Sequence, residues 1–375
     1  MPPIKPFYLD LSEAEIEQVA AATAEVLRSG MLILGPRTAA FEEAFAAYVG
    51  TRHAVATSSG TSALEIMLRV REVAGRTVLV PTNTNFATAA AVLHAGGKVR
   101  FLDMDERSFA PSLAQVEDAL ARFADEDVAG ILWVHLGGVV SAEFPAVVEL
   151  CRSRGLFVLE DAAHAHGSSL GGVRSGALAD AAAFSFFPTK VMTTFEGGML
   201  TTDDPHEAEL ARSFRNQGKR GAAFGGLHHD LGGSWRIGEV GAALGLIQLA
   251  KLDAMLARRQ AAYGIITARL DAAGIPYVST AHMDQASQYK LIVLVPEGRD
   301  TAAARDALKA DGIICGGGVY ELPCHRQPVF AQVDPGRSFP VAETWCPRHL
   351  CPPLTSGMSA AEATRVGEAL VARLG

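Results

Sequence analysis

Two short apolar runs in this sequence end in groups that can do chemistry together. Phe157-Val158-Leu159 reads as a buried strand that delivers Asp161 at its end. Ala182-Ala183-Phe184 reads as another, followed by Ser185, Thr189 and Lys190. A buried lysine that has lost its proton attacks carbonyl carbon. A carboxylate beside a ring nitrogen favours the protonated ring, which can then accept the electrons of a developing carbanion. An amine and a carboxylate at two strand ends, flanked by small hydroxyls, therefore suit pyridoxal 5'-phosphate (PLP). Lys190 would hold the aldehyde as a Schiff base, and Asp161 would pair with the ring nitrogen.

A third stretch could hold the phosphate. Residues 53–57 read as a strand, Ser58-Ser59-Gly60-Thr61-Ser62 as a turn, and residues 63–70 as a helix. That order aims free backbone N–H groups and the positive end of a helix dipole at an anion. Gly60 lets the backbone come close, and the hydroxyls of Thr61 and Ser62 add hydrogen bonds.

The elements that must position these residues alternate. Strands are expected at 77–81, 99–102, 131–135 and 199–202, with helices near 84–95, from a cap at Ser112 with Gln115, near 144–154 and over 205–216. Repeated strand–helix units predict a parallel sheet covered on both faces, with ligands at the carboxyl ends of its strands, where Ser59, Asp161 and Ser185 all fall. Helices at 12–30 and 38–49 precede the sheet. Residues 239–270 read as one long helix bridging to a smaller α+β unit with a strand at 290–295, a helix at 301–310, a strand at 313–316 and a last helix from 359. The division expected is a large domain over residues 1–250, including an N-terminal helical arm, and a small domain over 251–375.

Composition narrows the function classes. The chain has 375 residues, 49% of them hydrophobic, and a net charge of -8, with no basic tract to neutralise phosphates along a nucleic acid. No apolar run is long enough for a membrane span, and the start lacks a signal peptide's basic and apolar regions. Five cysteines, odd in number and irregularly spaced, fit a reduced, cytoplasmic setting. Cys324, His325, Cys346, His349 and Cys351 match no standard zinc spacing, so no metal site is expected.

Taken in order, SSGTSAL, EDAAHAHG, SFFPTK with EGGMLTTDD, LGGSWRIGEVGAALGLIQL and HRQPVF resemble the motifs of the DegT/DnrJ/EryC1/StrS family of sugar aminotransferases. The resemblance covers nearly the whole length. It implies the fold-type-I PLP-transferase fold and a homodimer with shared active sites. It implies Lys190 as the PLP-binding lysine and proton shuttle, with Asp161 on the pyridine nitrogen. Gly60, Thr61 and Ser185 would hold the phosphate, with Ser59 beside them. His164 stands near the cofactor's phenolic oxygen, where relatives carry Gln or His.

Two positions depart from the family pattern. Asn85 falls where an aromatic residue is expected over the ring, so either Phe86 takes over on a shifted loop or an amide covers it. Ser234 replaces an asparagine that would reach the partner's phosphate. The implied reaction is a ping-pong transfer of an amino group from glutamate or glutamine to a nucleotide-linked keto-deoxysugar. A keto-cyclitol or other non-nucleotide ketone, or a non-catalytic regulator on the same fold, is the alternative. Arg236, Lys219, Tyr320 and His325 are the candidates for holding the acceptor.

Overall fold

A computed structural model describes residues 2–221 and 224–375; Ala222 and Ala223, in the glycine-rich loop, lie outside the described residues. The chain opens with helices α1 (Glu13–Ser29) and α2 (Pro36–Val49). It then alternates: β1 (His53–Thr57), α3 (Gly60–Val70), β2 (Thr77–Pro81), α4 (Phe86–His94), β3 (Lys98–Leu102), α5 (Leu113–Arg122), β4 (Val128–Val134), α6 (Phe144–Ser153), β5 (Phe157–Asp161), β6 (Ala181–Ser185), β7 (Gly198–Thr202) and α7 (Pro205–Arg215). The seven strands form one sheet in the order β1-β7-β6-β5-β4-β2-β3. Only β7 runs against its neighbours; the other adjacent pairs are parallel. This is the expected α/β architecture, a mostly parallel sheet flanked by helices.

Helices cover both faces of the sheet, and in β2 and β5 every residue is buried. On one face, Phe41 and Phe45 of α2 meet Phe184 and Phe186 at ring separations of 5.0–5.4 Å. Each such buried ring contributes roughly 1.5–3 kcal/mol. They hold the end of β6, and with it the segment that leads to Lys190.

The first turn of α2 has no side-chain cap of its own. Glu239, distant in sequence, supplies one. Its buried carboxylate accepts from the backbone N–H groups of Gly35 (3.0 Å), Arg37 (2.8 Å) and Thr38 (2.9 Å). An acid at a helix N-terminus satisfies orphan donors and complements the dipole.

The long bridging helix is a correction: it is two helices, α8 (Glu239–Ala250) and α9 (Leu252–Ala273), bent by 57°. No glycine or proline marks the break. Lys251 leaves helical geometry while its ammonium binds the Asp10 carbonyl (2.5 Å) and Glu15 (2.8 Å), a tertiary contact that overrides local pattern. No single helix among the described residues is long and apolar enough to cross a membrane.

Helices α10 (Thr301–Ala310), α11 (Pro340–Trp345) and α12 (Ala360–Leu374) follow. A separate apolar cluster joins α9, α10 and α12 through Ile266, Leu270, Leu308 and Val366, and Ile4 from the start of the chain packs into it. The expected strand at 313–316 is reduced to isolated bridges, Ile4 to Ile313 and Gly316 to Cys351. The one at 290–295 shrinks to Val293–Leu294, paired with His349–Leu350.

Candidate active site

The carboxyl ends of β1, β5 and β6 surround a cavity of about 270 Å³. Nine of the residues singled out in the sequence line it: Ser59, Gly60 and Thr61 after β1, Asn85 before α4, Asp161 and His164 after β5, Ser185 and Lys190 after β6, and Tyr320. Five do not. Phe86 is half exposed and stacks on Phe330 at 5.6 Å. Ser234 accepts from Arg236, whose other terminal nitrogen binds Asn216 (2.9 Å). Lys219 lines a separate surface pocket with Glu42 and Arg212. His325 has both ring nitrogens engaged, by Thr82 (2.6 Å) and Glu343 (2.9 Å). Asn85 caps α4 through Ala87 (2.9 Å), so an amide and not Phe86 faces the cavity.

Helix α3 begins with a capping box in which Ser59 and Ser62 satisfy each other's backbone N–H groups. The remaining first-turn N–H groups, at Gly60 and Thr61, belong to the set that a helix leaves without internal partners. A Cβ on Gly60 would stand 2.7 Å from the Ser185 Cβ, and one on Gly198 would stand 2.2 Å from the Ser59 carbonyl oxygen. The turn is thus pressed onto the ends of β6 and β7, and only glycine permits it. The result is an anion cradle of N–H groups and hydroxyls.

Asp161 is buried, and burial pushes its carboxyl up from the usual range. Two neutral donors oppose that shift: the Thr88 hydroxyl at 2.7 Å and the Ala163 N–H at 3.2 Å. Across the cavity, burial lowers the Lys190 amine to about 8; the Asp161 charge works against that shift and the Lys290 charge adds to it. The Lys190 ammonium lies 5.0 Å from the centre of the Tyr289 ring.

His164 stacks on Tyr289 with ring centres 4.4 Å apart. Burial holds its imidazole neutral, well below the usual range. Its Nδ1 accepts from the Gly137 N–H at 3.2 Å, which leaves the proton on Nε2, facing the Tyr320 hydroxyl at 3.4 Å.

This set fits PLP on the evidence of the residues themselves. Asp161 is a buried acid whose hydrogen bonds come from neutral groups, so a protonated pyridine nitrogen would supply the missing positive charge. Lys190 is a buried amine near neutrality, and the cradle at Gly60 accepts a phosphate. Thr88, Tyr289, Lys290, Arg259 and Gly137 were not legible as site residues in the sequence. Only Thr88 carried a signal, four residues after Thr84 in a stretch expected to be helical; Thr84 lies just before α4, and the two hydroxyls meet at 2.8 Å.

A mostly parallel sheet with a carboxylate and a lysine at its strand ends defines a PLP-type transferase. The chain belongs to the DegT/DnrJ/EryC1/StrS aminotransferase family, which it matches over residues 13–371. It is an aminotransferase, and aminotransferases of this family depend on PLP. It is similar to the dTDP-3-amino-3,4,6-trideoxy-alpha-D-glucose transaminase of Streptomyces venezuelae, with 36% identity over 97% of this chain and 94% of that one. It is also similar to the spore coat polysaccharide biosynthesis protein SpsC of Bacillus subtilis, with 34% identity over 97% of this chain and 96% of the relative. The solved structure of S. venezuelae DesV with a ketimine intermediate superposes with a TM-score of 0.90 at 33% identity, covering 99% of this chain and 98% of DesV.

Proposed function

We propose that this chain moves an amino group from glutamate or glutamine to the keto group of a nucleotide-linked keto-deoxysugar, using PLP. The observation that carries this reading is the shared cavity, in which Asp161, Lys190 and the Gly60 cradle meet. The dTDP-linked sugar in the name of the S. venezuelae relative supports the acceptor class.

PLP held there supplies an aldehyde that takes up the amino group and a conjugated ring that spreads the electron pair of the substrate carbanion. Asp161 would bind its ring nitrogen, with Thr88 orienting the carboxylate. Gly60, Thr61 and Ser185 would hold its phosphate, with Ser59 setting the turn. Lys190 Nζ would hold the aldehyde carbon and would move the proton at the donor's Cα; an amine with a pKa of about 8 is well matched to that exchange. His164 Nε2–H would donate to the cofactor's phenolic oxygen, and Asn85 would lie against its ring.

Ser234, Arg236 and Lys219 line no part of this chain's own cavity, which is consistent with their serving a partner's site in a homodimer. Exposed Leu227 and Leu231 on the same loop support such an interface. The proposed division into domains 1–250 and 251–375 would place Tyr320 of the cavity wall on the smaller unit.

The test is an absorbance titration of the PLP-loaded protein. Adding L-glutamate should convert the visible band of lysine-bound PLP to the pyridoxamine form, and a dTDP- or UDP-linked keto-sugar should restore it. Lys190→Ala should abolish both changes. A band that no amino donor moves, or that only a keto-cyclitol restores, would contradict the reading.

A further inference from the structure

Beside Lys190 a second cavity opens, of about 380 Å³, sharing Asn85, His164, Lys190 and Tyr320 with the first. Its wall carries two further cations, Lys290 and Arg259, and among the described residues no Asp or Glu lines it. The Lys290 ammonium lies 5.3 Å from the centre of the Tyr289 ring, and that of Lys190 lies 5.0 Å from the same point. Both amines are therefore within reach of one aromatic ring. A Cβ on Gly316 would come within 2.6 Å of the Lys290 nitrogen, so the glycine leaves room for the ammonium.

Arg259 is buried, and its guanidinium is fixed by the carbonyls of Gln288 (3.1 Å) and Tyr289 (3.2 Å). The carboxylate acting on it, Asp10, is already bound to Arg258 (2.7 Å) and Lys251 (3.4 Å). The acids acting on Lys290 are the thiols of Cys351 and Cys315, which burial raises to about 12 and about 11, so both are neutral near pH 7. Two cations without a matched anion in a cavity wall are unfavourable until an anion arrives.

We propose that Lys290, backed by Arg259, is the subsite that takes the carboxylate of the amino donor. The inference rests on the transamination reading and adds to it the place where the donor is recognised. An amino acid's α-carboxylate is bonded to the carbon that loses its proton, so it must lie close to Lys190. The phosphates of a nucleotide-linked acceptor are held away from the reacting carbon by the sugar ring, so they fit less well than the donor's carboxylate to a cation in a cavity that Lys190 itself lines.

Calorimetric titration with glutarate, a dicarboxylate without the reacting amine, tests this on the full-length protein, both PLP-loaded and PLP-free, with UDP titrated in parallel. Lys290→Met and Lys290→Gln should each weaken glutarate binding by about tenfold or more, the loss of one charge-assisted hydrogen bond. Lys290→Arg should stay within about threefold of wild type, and UDP binding should be the same in all four proteins. Unfolding midpoints recorded for each variant show whether the fold is kept. Wild type that binds no glutarate, uncharged variants that bind it as wild type does, or a loss confined to UDP each overturns the proposal. A protein that takes up no PLP would fail the cofactor reading alone, because the PLP-free titration still reports on the subsite.

Discussion

Thr88 on α4 donates its hydroxyl proton to Asp161 Oδ2 at 2.7 Å and contacts Thr84 at 2.8 Å, so a helix and a strand end are joined through the acid at the heart of the site. A hydrogen bond to a charged group contributes about 1.5–3 kcal/mol. Thr88→Val should therefore weaken PLP binding by roughly tenfold or more, whereas Thr88→Ser should stay near wild type. Equilibrium dialysis against PLP reads both. Equal affinity in Thr88→Val would mean that Asp161 does not depend on this contact.

Gly60 and Ser185 are in van der Waals contact, and Gly60→Ala forces a Cβ to 2.7 Å from the Ser185 Cβ. The turn must retreat, and its N–H groups with it. Binding of PLP should fall by about tenfold while binding of pyridoxal, which has no phosphate, changes little. A parallel loss for both compounds would place the damage elsewhere than in phosphate recognition.

The low pKa of Lys190 sets a pH dependence. The free amine is the reactive form, so uptake of PLP by the PLP-free protein should accelerate with pH and reach half its limit near about 8, below the ordinary lysine value of 10.5. Because the Lys290 charge helps lower it, Lys290→Met should move the midpoint upward. The sign for stability follows from proton counting: the unfolded chain holds the extra proton between about 8 and 10.5, so Lys190 makes the PLP-free protein more stable as pH rises through that window. Stopped-flow absorbance gives the rate profile. A midpoint at the ordinary lysine value would contradict the buried setting.

Glu239 holds the start of α2 through three backbone N–H groups. Glu239→Gln replaces an all-acceptor group with one that points an N–H at those donors. The first urea transition should lose about 2–3 kcal/mol, the scale of a buried charge-assisted hydrogen bond. No change in that transition would show that α2 is anchored by its phenylalanines alone.

Much of this arrangement was readable from residue types. Asp161 and Lys190 end short apolar strands, and the Ser59–Ser62 box starts a helix at a strand end, so local chemistry points to each of them. What escaped depends on contacts between distant segments. The break at Lys251 is made by Asp10 and Glu15, and the α2 cap by Glu239. The strand expected at 313–316 lacks a continuous neighbour and survives only as bridges. Lys290 sits in a stretch that reads as strand, where a lysine looks like an ordinary exposed residue. Only its neighbours in space, Tyr289, Arg259 and Lys190, make it a cation in a cavity wall. Phe86, the aromatic alternative to Asn85, is drawn away by Phe330, a partner 244 positions further along.

Lys190 is the proposed carrier of the cofactor, and the adjoining cavity offers a competitor in Lys290. Borohydride reduction of the PLP-loaded protein, followed by peptide mass spectrometry, locates the lysine that is bonded to PLP. A phosphopyridoxyl group is expected on the peptide containing Lys190, and none on the peptide containing Lys290. Label on Lys290, or on neither peptide, would contradict it.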